Sequence, residues 1–135
     1  MNRTIRKTAG NTGLRFHICL NYGSRAEILR AAAQMAQAAA AIQGDGSARQ
    51  GDGFSVPPEF TEEGFSACLY SAGVPDPDLL IRPGGEKRVS NFLLWQTAYS
   101  ELVFSDILWP DYSPSDFDEA IEEYRSRKRR FGGRA

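Results

Sequence analysis

The chain holds 135 residues, 41% of them hydrophobic and 24% charged, with a formal net charge of -1. That is enough for one globular domain and too little for two. The near-neutral balance gives no field suited to nucleic acid, no apolar run approaches the roughly 18 residues of a membrane span, and the basic opening from Met1 to Gly10 lacks the apolar core of a secretory signal.

Residues 1–12 form a polar lead-in without apolar periodicity, and the body of the domain is expected over 13–135. From Leu14 to Leu20 the pattern alternates. Leu14, Phe16, Ile18 and Leu20 share one face, with Arg15, His17, Cys19 and Asn21 on the other, which predicts a strand carrying a satisfied histidine. Gly23 breaks it. An alanine-rich helix is expected from about Ser24 to Ile42, with Ile28, Leu29, Ala32, Met35 and Ala36 on its apolar side and Glu27 in the first turn, where a negative charge suits the helix dipole.

Residues 43–58 are rich in Gly and Pro and read as a flexible surface loop. Their Gly-Asp-Gly repeats lack EF-hand spacing, and no Gly-Lys-Ser/Thr follows. Thr61 is placed to cap a helix over Glu62 to Ser71, with Phe60 and Phe65 as a hydrophobic staple and Gly73 as its end. Leu79-Leu80-Ile81 is a short, continuously apolar strand, as expected of one buried on both faces. A short helix is expected over Asn91 to Tyr99 and a third strand over Leu102 to Phe104. Ser113 caps the last helix, with Pro114 at its first position, Asp116 three residues after the cap, and Phe117, Ala120, Ile121 and Tyr124 on one face. Cys19 and Cys68 sit in apolar stretches and read as reduced core thiols.

Strands alternating with helices give the fold class: α/β, a partial parallel β-sheet flanked by helices. About three strands leave an edge open, so the sequence reads as part of a larger domain.

Ligands of open parallel sheets bind beyond the C-terminal strand ends, where two polar clusters fall. One is Asn21-Tyr22-Gly23-Ser24-Arg25. The other runs from Arg82 through Pro83-Gly84-Gly85-Glu86-Lys87 to Arg88-Val89-Ser90-Asn91. Glycines let backbone approach a ligand, guanidinium forks match phosphate oxygens, and Ser90 opens the expected helix at its anion-favouring end. The second cluster reads as a phosphate or diphosphate site. The competing reading is a surface loop whose arginines pair with Glu86 and other local acids. The pattern is neither a Walker loop nor a dinucleotide fingerprint.

Leu20-Asn21-Tyr22-Gly23-Ser24-Arg25-Ala26-Glu27-Ile28 resembles a block of the cis-prenyltransferases, the undecaprenyl diphosphate synthase group. Asp78 through Gln96, Ala98-Tyr99-Ser100-Glu101-Leu102-Val103-Phe104 and Trp109-Pro110-Asp111 resemble that family's last and longest block, and Arg129-Arg130-Phe131-Gly132-Gly133 its tail. The likeness runs from about Asn11 to Gly133. Pro83 and Ser24 depart from the family's usual threonine and glycine.

The resemblance implies the C-terminal half of the undecaprenyl diphosphate synthase fold. It also implies cis-condensation of isopentenyl diphosphate onto an allylic diphosphate such as farnesyl diphosphate, with Mg2+. Arg82, Arg88, the Val89 backbone and Ser90 are then expected to hold isopentenyl diphosphate, and Glu101 to bind the metal, where the residues alone suggest an exposed strand-edge charge. Asn21 and Arg25 order the site or pair locally, and Arg130 and Gly132 are weaker candidates. The family's Asp-Gly-Asn-Gly-Arg-Trp segment, with its essential aspartate, does not occur in these 135 residues. The expectation is therefore no catalytic residue in this chain and no activity alone. A homodimer and a cytoplasmic location, peripheral to the membrane through a lipid product, are implied likewise. A non-catalytic accessory subunit and a plain diphosphate-binding module are the alternatives.

Overall fold

The computed structural model describes residues 2–45 and 60–129. In chain order the elements are α1 (Asn2–Thr8), α2 (Ser24–Asp45), α3 (Glu62–Ala67), β1 (Leu79–Arg82), β2 (Glu101–Phe104), a 3-10 turn (Trp109–Asp111) and α4 (Pro114–Ser126). The class is α/β. β1 and β2 run parallel, with Leu79 beside Glu101 and Arg82 beside Phe104.

Two small cores hold the elements. Ala31 and Met35 of α2 meet Cys68 and Leu69, and Phe65 and Trp95 pack against them. The Phe65 and Trp95 rings lie 4.4 Å apart, and the Trp95 indole N–H donates to the Ser66 hydroxyl at 3.0 Å. α4 lies on β2, where Val103 and Ala120 are buried. Arg30 locks α2 to the exit of α3, donating to the Cys68 carbonyl at 2.6 Å and lying 4.0 Å over the Tyr70 ring.

Several expectations need correction. Leu14 to Leu20 forms no strand: the sheet of the described residues holds only β1 and β2, and Leu14, Phe16, Ile18 and Leu20 are 93%, 79%, 60% and 67% exposed. A strand exists through its ladder, and no described strand lies beside this segment. His17 and Cys19 are exposed with it, so neither is a core residue, whereas Cys68 is buried. The lead-in contains a helix, with Arg6 and Lys7 in its last turn, where positive charge suits the dipole. α2 continues to Asp45, and the rest of the expected loop lies outside the described residues. Its buried face is Ser24, Glu27, Ala31 and Met35, while Leu29, Ala32 and Ala36 point outward.

α3 stops at Ala67, short of Ser71, because the Tyr70 N–H is diverted to Glu27 and the following amides bond three residues back. Thr61 caps it as expected, accepting from the Gly64 N–H at 3.1 Å, but Phe60 is exposed and forms no staple. Asn91 to Tyr99 is a run of turns and not a helix. Ser90, Asn91 and Leu93 have φ of 47°, 63° and 48°, left-handed values that a right-handed helix excludes.

α4 begins as expected. The Asp116 N–H donates to the Ser113 hydroxyl at 3.4 Å, and the Ser113 N–H donates to the Asp116 carboxylate at 2.7 Å. These Ser113 bonds hold the Asp116 carboxyl below its ordinary value. A depressed carboxyl contributes stability above its unfolded value and loses it as pH falls through the native one. Thermal melts of wild type and Asp116→Asn should therefore differ at neutral pH and converge below about pH 4.

Candidate anion site at the rim of the sheet

The rim is built from the end of β1 outward. Beyond the last ladder pair, the Ser105 N–H donates to the Arg82 carbonyl at 3.0 Å, the Gly85 N–H to Ser105 at 2.9 Å and the Gly84 N–H to Ile107 at 2.8 Å. The backbone can make this turn because Gly84 and Gly85 sit at φ of 101° and 76°. The turn folds the chain back so that the Arg82 guanidinium donates to the Arg88 carbonyl at 2.5 Å. Arg82 and Arg88 therefore share one loop beyond the C-terminal end of the sheet. Arg82 is half-buried, and Arg88 is exposed and ion-paired to Glu86. The local ion pair of the competing reading is present, beside the hydrogen bond that ties Arg82 to Arg88. Val89 is half-buried and its carbonyl accepts from the Phe92 N–H at 3.0 Å, while Ser90 is exposed beside it.

The other polar cluster, Asn21 to Arg25, meets this loop although no strand leads into it. The Ser24 N–H donates to the Asn91 carbonyl at 2.9 Å, and the Arg25 N–H to the Asn91 side-chain oxygen at 2.8 Å. The Leu94 N–H donates to the Ser24 hydroxyl at 2.9 Å. Tyr22 and Phe92 meet edge to face at 5.8 Å. Asn21 has φ of 52° and is exposed, and Arg25 is exposed as well.

Glu27 organises the inner side of this contact. It is fully buried. Its carboxylate accepts from the Tyr22 hydroxyl, from the Tyr70 N–H at 2.6 Å and from the Gln96 amide at 3.3 Å. Gln96 also donates to the Ser71 hydroxyl at 2.9 Å. Burial first, then the Glu27 carboxylate, push the Tyr22 hydroxyl up to about 12. Sequence reasoning placed Glu27 as a dipole charge and missed this role. The signal was available: Glu27 lies one helical turn from Ser24 and from Ala31, on the face that Met35 extends inward.

Glu101 is elsewhere. It opens β2, so it lies at the opposite end of the strand from the Arg82 pair, roughly 10 Å along the sheet. Its carboxylate accepts from the Arg127 guanidinium at 2.8 Å, and Arg127 also binds Glu123. Arg129 reaches Asp78 at 2.5 Å, just before β1. Among the described residues no three His, Cys, Asp or Glu side chains cluster as a metal site. Arg130 and Gly132 lie outside the described residues. Trp95 is packed in the core, whereas Trp109 is 76% exposed.

A parallel α/β fold with two arginines on a glycine turn at the strand ends is an arrangement suited in charge and shape to a phosphate group. Comparison with known proteins narrows that reading. The family model described as "Putative undecaprenyl diphosphate synthase" matches residues 1–132. The isoprenyl transferases of Geobacillus kaustophilus and Brucella abortus are 47% and 48% identical over 133 residues, 98% of this chain and 48% of theirs. The crystal structure of lavandulyl diphosphate synthase from Lavandula x intermedia, in complex with dimethylallyl diphosphate, superposes with a TM-score of 0.78 at 34% identity, covering 97% of this chain and 52% of that one. A probable undecaprenyl diphosphate synthase from Campylobacter jejuni gives 0.73 at 32% identity, covering 97% and 53%. The chain belongs to the undecaprenyl diphosphate synthase family of cis-prenyltransferases. It spans about half the length of the curated relatives it matches.

Two consequences of the Glu27 cluster are measurable. Tyr22 should titrate as a separate ultraviolet transition near pH 12, absent in Tyr22→Phe. A raised hydroxyl contributes stability below its unfolded value, so that contribution should hold below about pH 10 and fall as pH rises toward 12. Glu27→Ala leaves the Tyr70 amide without its acceptor and removes one of the two acceptors of Gln96, and should cost about 2–4 kcal/mol in denaturant melts.

Proposed function

We propose that this chain supplies the isopentenyl-diphosphate side of a cis-prenyltransferase. One observation carries the reading: Arg82 and Arg88 are tied by a hydrogen bond across a left-handed glycine turn at the C-terminal rim of a parallel sheet. Arg82, Arg88, the Val89 backbone and the Ser90 hydroxyl hold the diphosphate there.

The Glu86–Arg88 pair does not block such a ligand. Both side chains are substantially exposed, and a pair of this kind is worth about 0–1 kcal/mol. Charge-assisted hydrogen bonds from a guanidinium to phosphate oxygens are each worth about 1.5–3 kcal/mol, so a diphosphate displaces Glu86.

In the reaction we assign, the isopentenyl double bond attacks the first carbon of an allylic diphosphate such as farnesyl diphosphate. A carbon–carbon bond forms as the carbon–oxygen bond to the departing diphosphate breaks. A proton then leaves the isopentenyl unit and a cis double bond results. The arginine pair fixes the nucleophile and contributes positive charge to the reaction region.

Magnesium is the metal the resemblance implies, and Glu101 is the ligand we assign to it. The described residues of this chain do not form a magnesium site by themselves. A hard cation needs about six oxygen donors, whereas Glu101 is a lone carboxylate held by Arg127 at the far end of β2 from the arginine loop. A homodimer, a cytoplasmic location and membrane contact through the lipid product belong to the same proposal. No helix among the described residues is long and apolar enough to cross a membrane.

Isothermal titration tests the site: Arg88→Ala should weaken isopentenyl diphosphate binding at least tenfold, and unchanged affinity removes the assignment. The 135-residue polypeptide alone, given farnesyl and isopentenyl diphosphates, should transfer no prenyl group. Turnover by pure protein would overturn that expectation.

A further inference from the structure

α2 starts at an unusual cap. The Gly23 carbonyl accepts the Glu27 N–H at 3.1 Å, so Gly23 occupies the position just before the helix. Ser, Thr, Asp or Asn commonly stand there because their side chains satisfy the first free amides. Glycine has no side chain to offer. The amides of Ser24 and Arg25 are instead taken by the main-chain and side-chain oxygens of one distant residue, Asn91.

The fit is close at both positions. A Cβ on Gly23 would stand 2.9 Å from the Asn91 side-chain nitrogen, so a side chain at 23 would displace the Asn91 carboxamide from where it now lies. Gly23 does not have a left-handed φ, so backbone conformation does not require glycine there. Asn91 itself holds φ of 63°, a region that asparagine tolerates better than most residues.

Asn91 directly follows the Arg88-Val89-Ser90 segment. On its other side Phe92, Leu94 and Gln96 contact Tyr22, Ser24 and Glu27 in register. From these contacts we infer that Asn91 is a positioning residue for the diphosphate site: by capping α2 from across the fold it fixes where Arg88, Val89 and Ser90 stand. This role rests on the proposed isopentenyl-diphosphate reading. It adds a residue that does not touch the ligand and a partner, Gly23, that exists to admit it.

The test separates positioning from helix stability. Isopentenyl diphosphate is titrated into the full chain as wild type, Arg88→Ala, Asn91→Gly and the double variant Gly23→Ser/Asn91→Gly, well below each melting temperature. Asn91→Gly keeps the left-handed backbone and loses only the carboxamide. It should bind about tenfold more weakly, the worth of one well-placed hydrogen bond. In the double variant Ser at 23 supplies a cap from within the helix, so the melting temperature should recover while the affinity stays low. Should Asn91→Gly alone fail to fold, the recapped double variant carries the test. Wild-type affinity in Asn91→Gly overturns the inference. So does recovery of affinity together with stability in the double variant, since Asn91 would then act through the helix alone. If wild type itself binds no isopentenyl diphosphate, the site reading falls and this role with it. If wild type binds, Arg88→Ala is weak and Asn91→Gly is normal, only this inference falls.

Discussion

The rim of the sheet depends on one carboxylate sealed from water. Burying a carboxylate costs several kcal/mol unless its oxygens are hydrogen-bonded, and both Glu27 oxygens accept donors drawn from three places in the chain. Tyr22 comes from the approach to α2, the Tyr70 amide from the exit of α3, and Gln96 from the turns between β1 and β2. None of the three segments has regular structure where it touches Glu27. The carboxylate gives them a common reference point, and the anion loop hangs from it through Asn91.

The sheet separates two kinds of charge chemistry. Its C-terminal rim presents Arg82, tied to the Arg88 carbonyl, and the lightly held Arg88. Its opposite end is closed by ion pairs that staple the chain after α4 to the strand starts, Arg127 to Glu101 and Arg129 to Asp78. Arg127 and Arg129 are more shielded than Arg88, and Arg127 is shared between two carboxylates. Physical chemistry thus sorts the arginines: Arg88 keeps one exposed, weak partner, and those held by two or more groups serve the architecture.

What the sequence revealed follows the reach of each signal. The α4 capping box is contained in four residues, Ser113 to Asp116, and was legible to the residue. β1, β2 and the start of α2 were legible because apolar runs and glycine breaks are local. The arginine spacing and its glycine turn were legible for the same reason. The strand over Leu14 to Leu20 was not, because alternation reports a face to be covered and says nothing of the cover. The helix over Asn91 to Tyr99 failed because its backbone is set by contacts with Gly23, Ser24 and Glu27, far away in the chain. Glu27 and Asn91 were visible as letters, but their partners are tertiary.

The latch between α2 and the anion loop joins residues 66 to 70 positions apart. The strand partners Leu79 and Glu101 are much closer in the chain. Closing the longer loop costs about 1 kcal/mol more in chain entropy, and no regular element shortens the search at the loop's side. The order of assembly follows. The β1–β2 pair with α4 can form early from near neighbours, and the rim condenses last, so a partly folded chain would have its sheet before its arginine loop was seated.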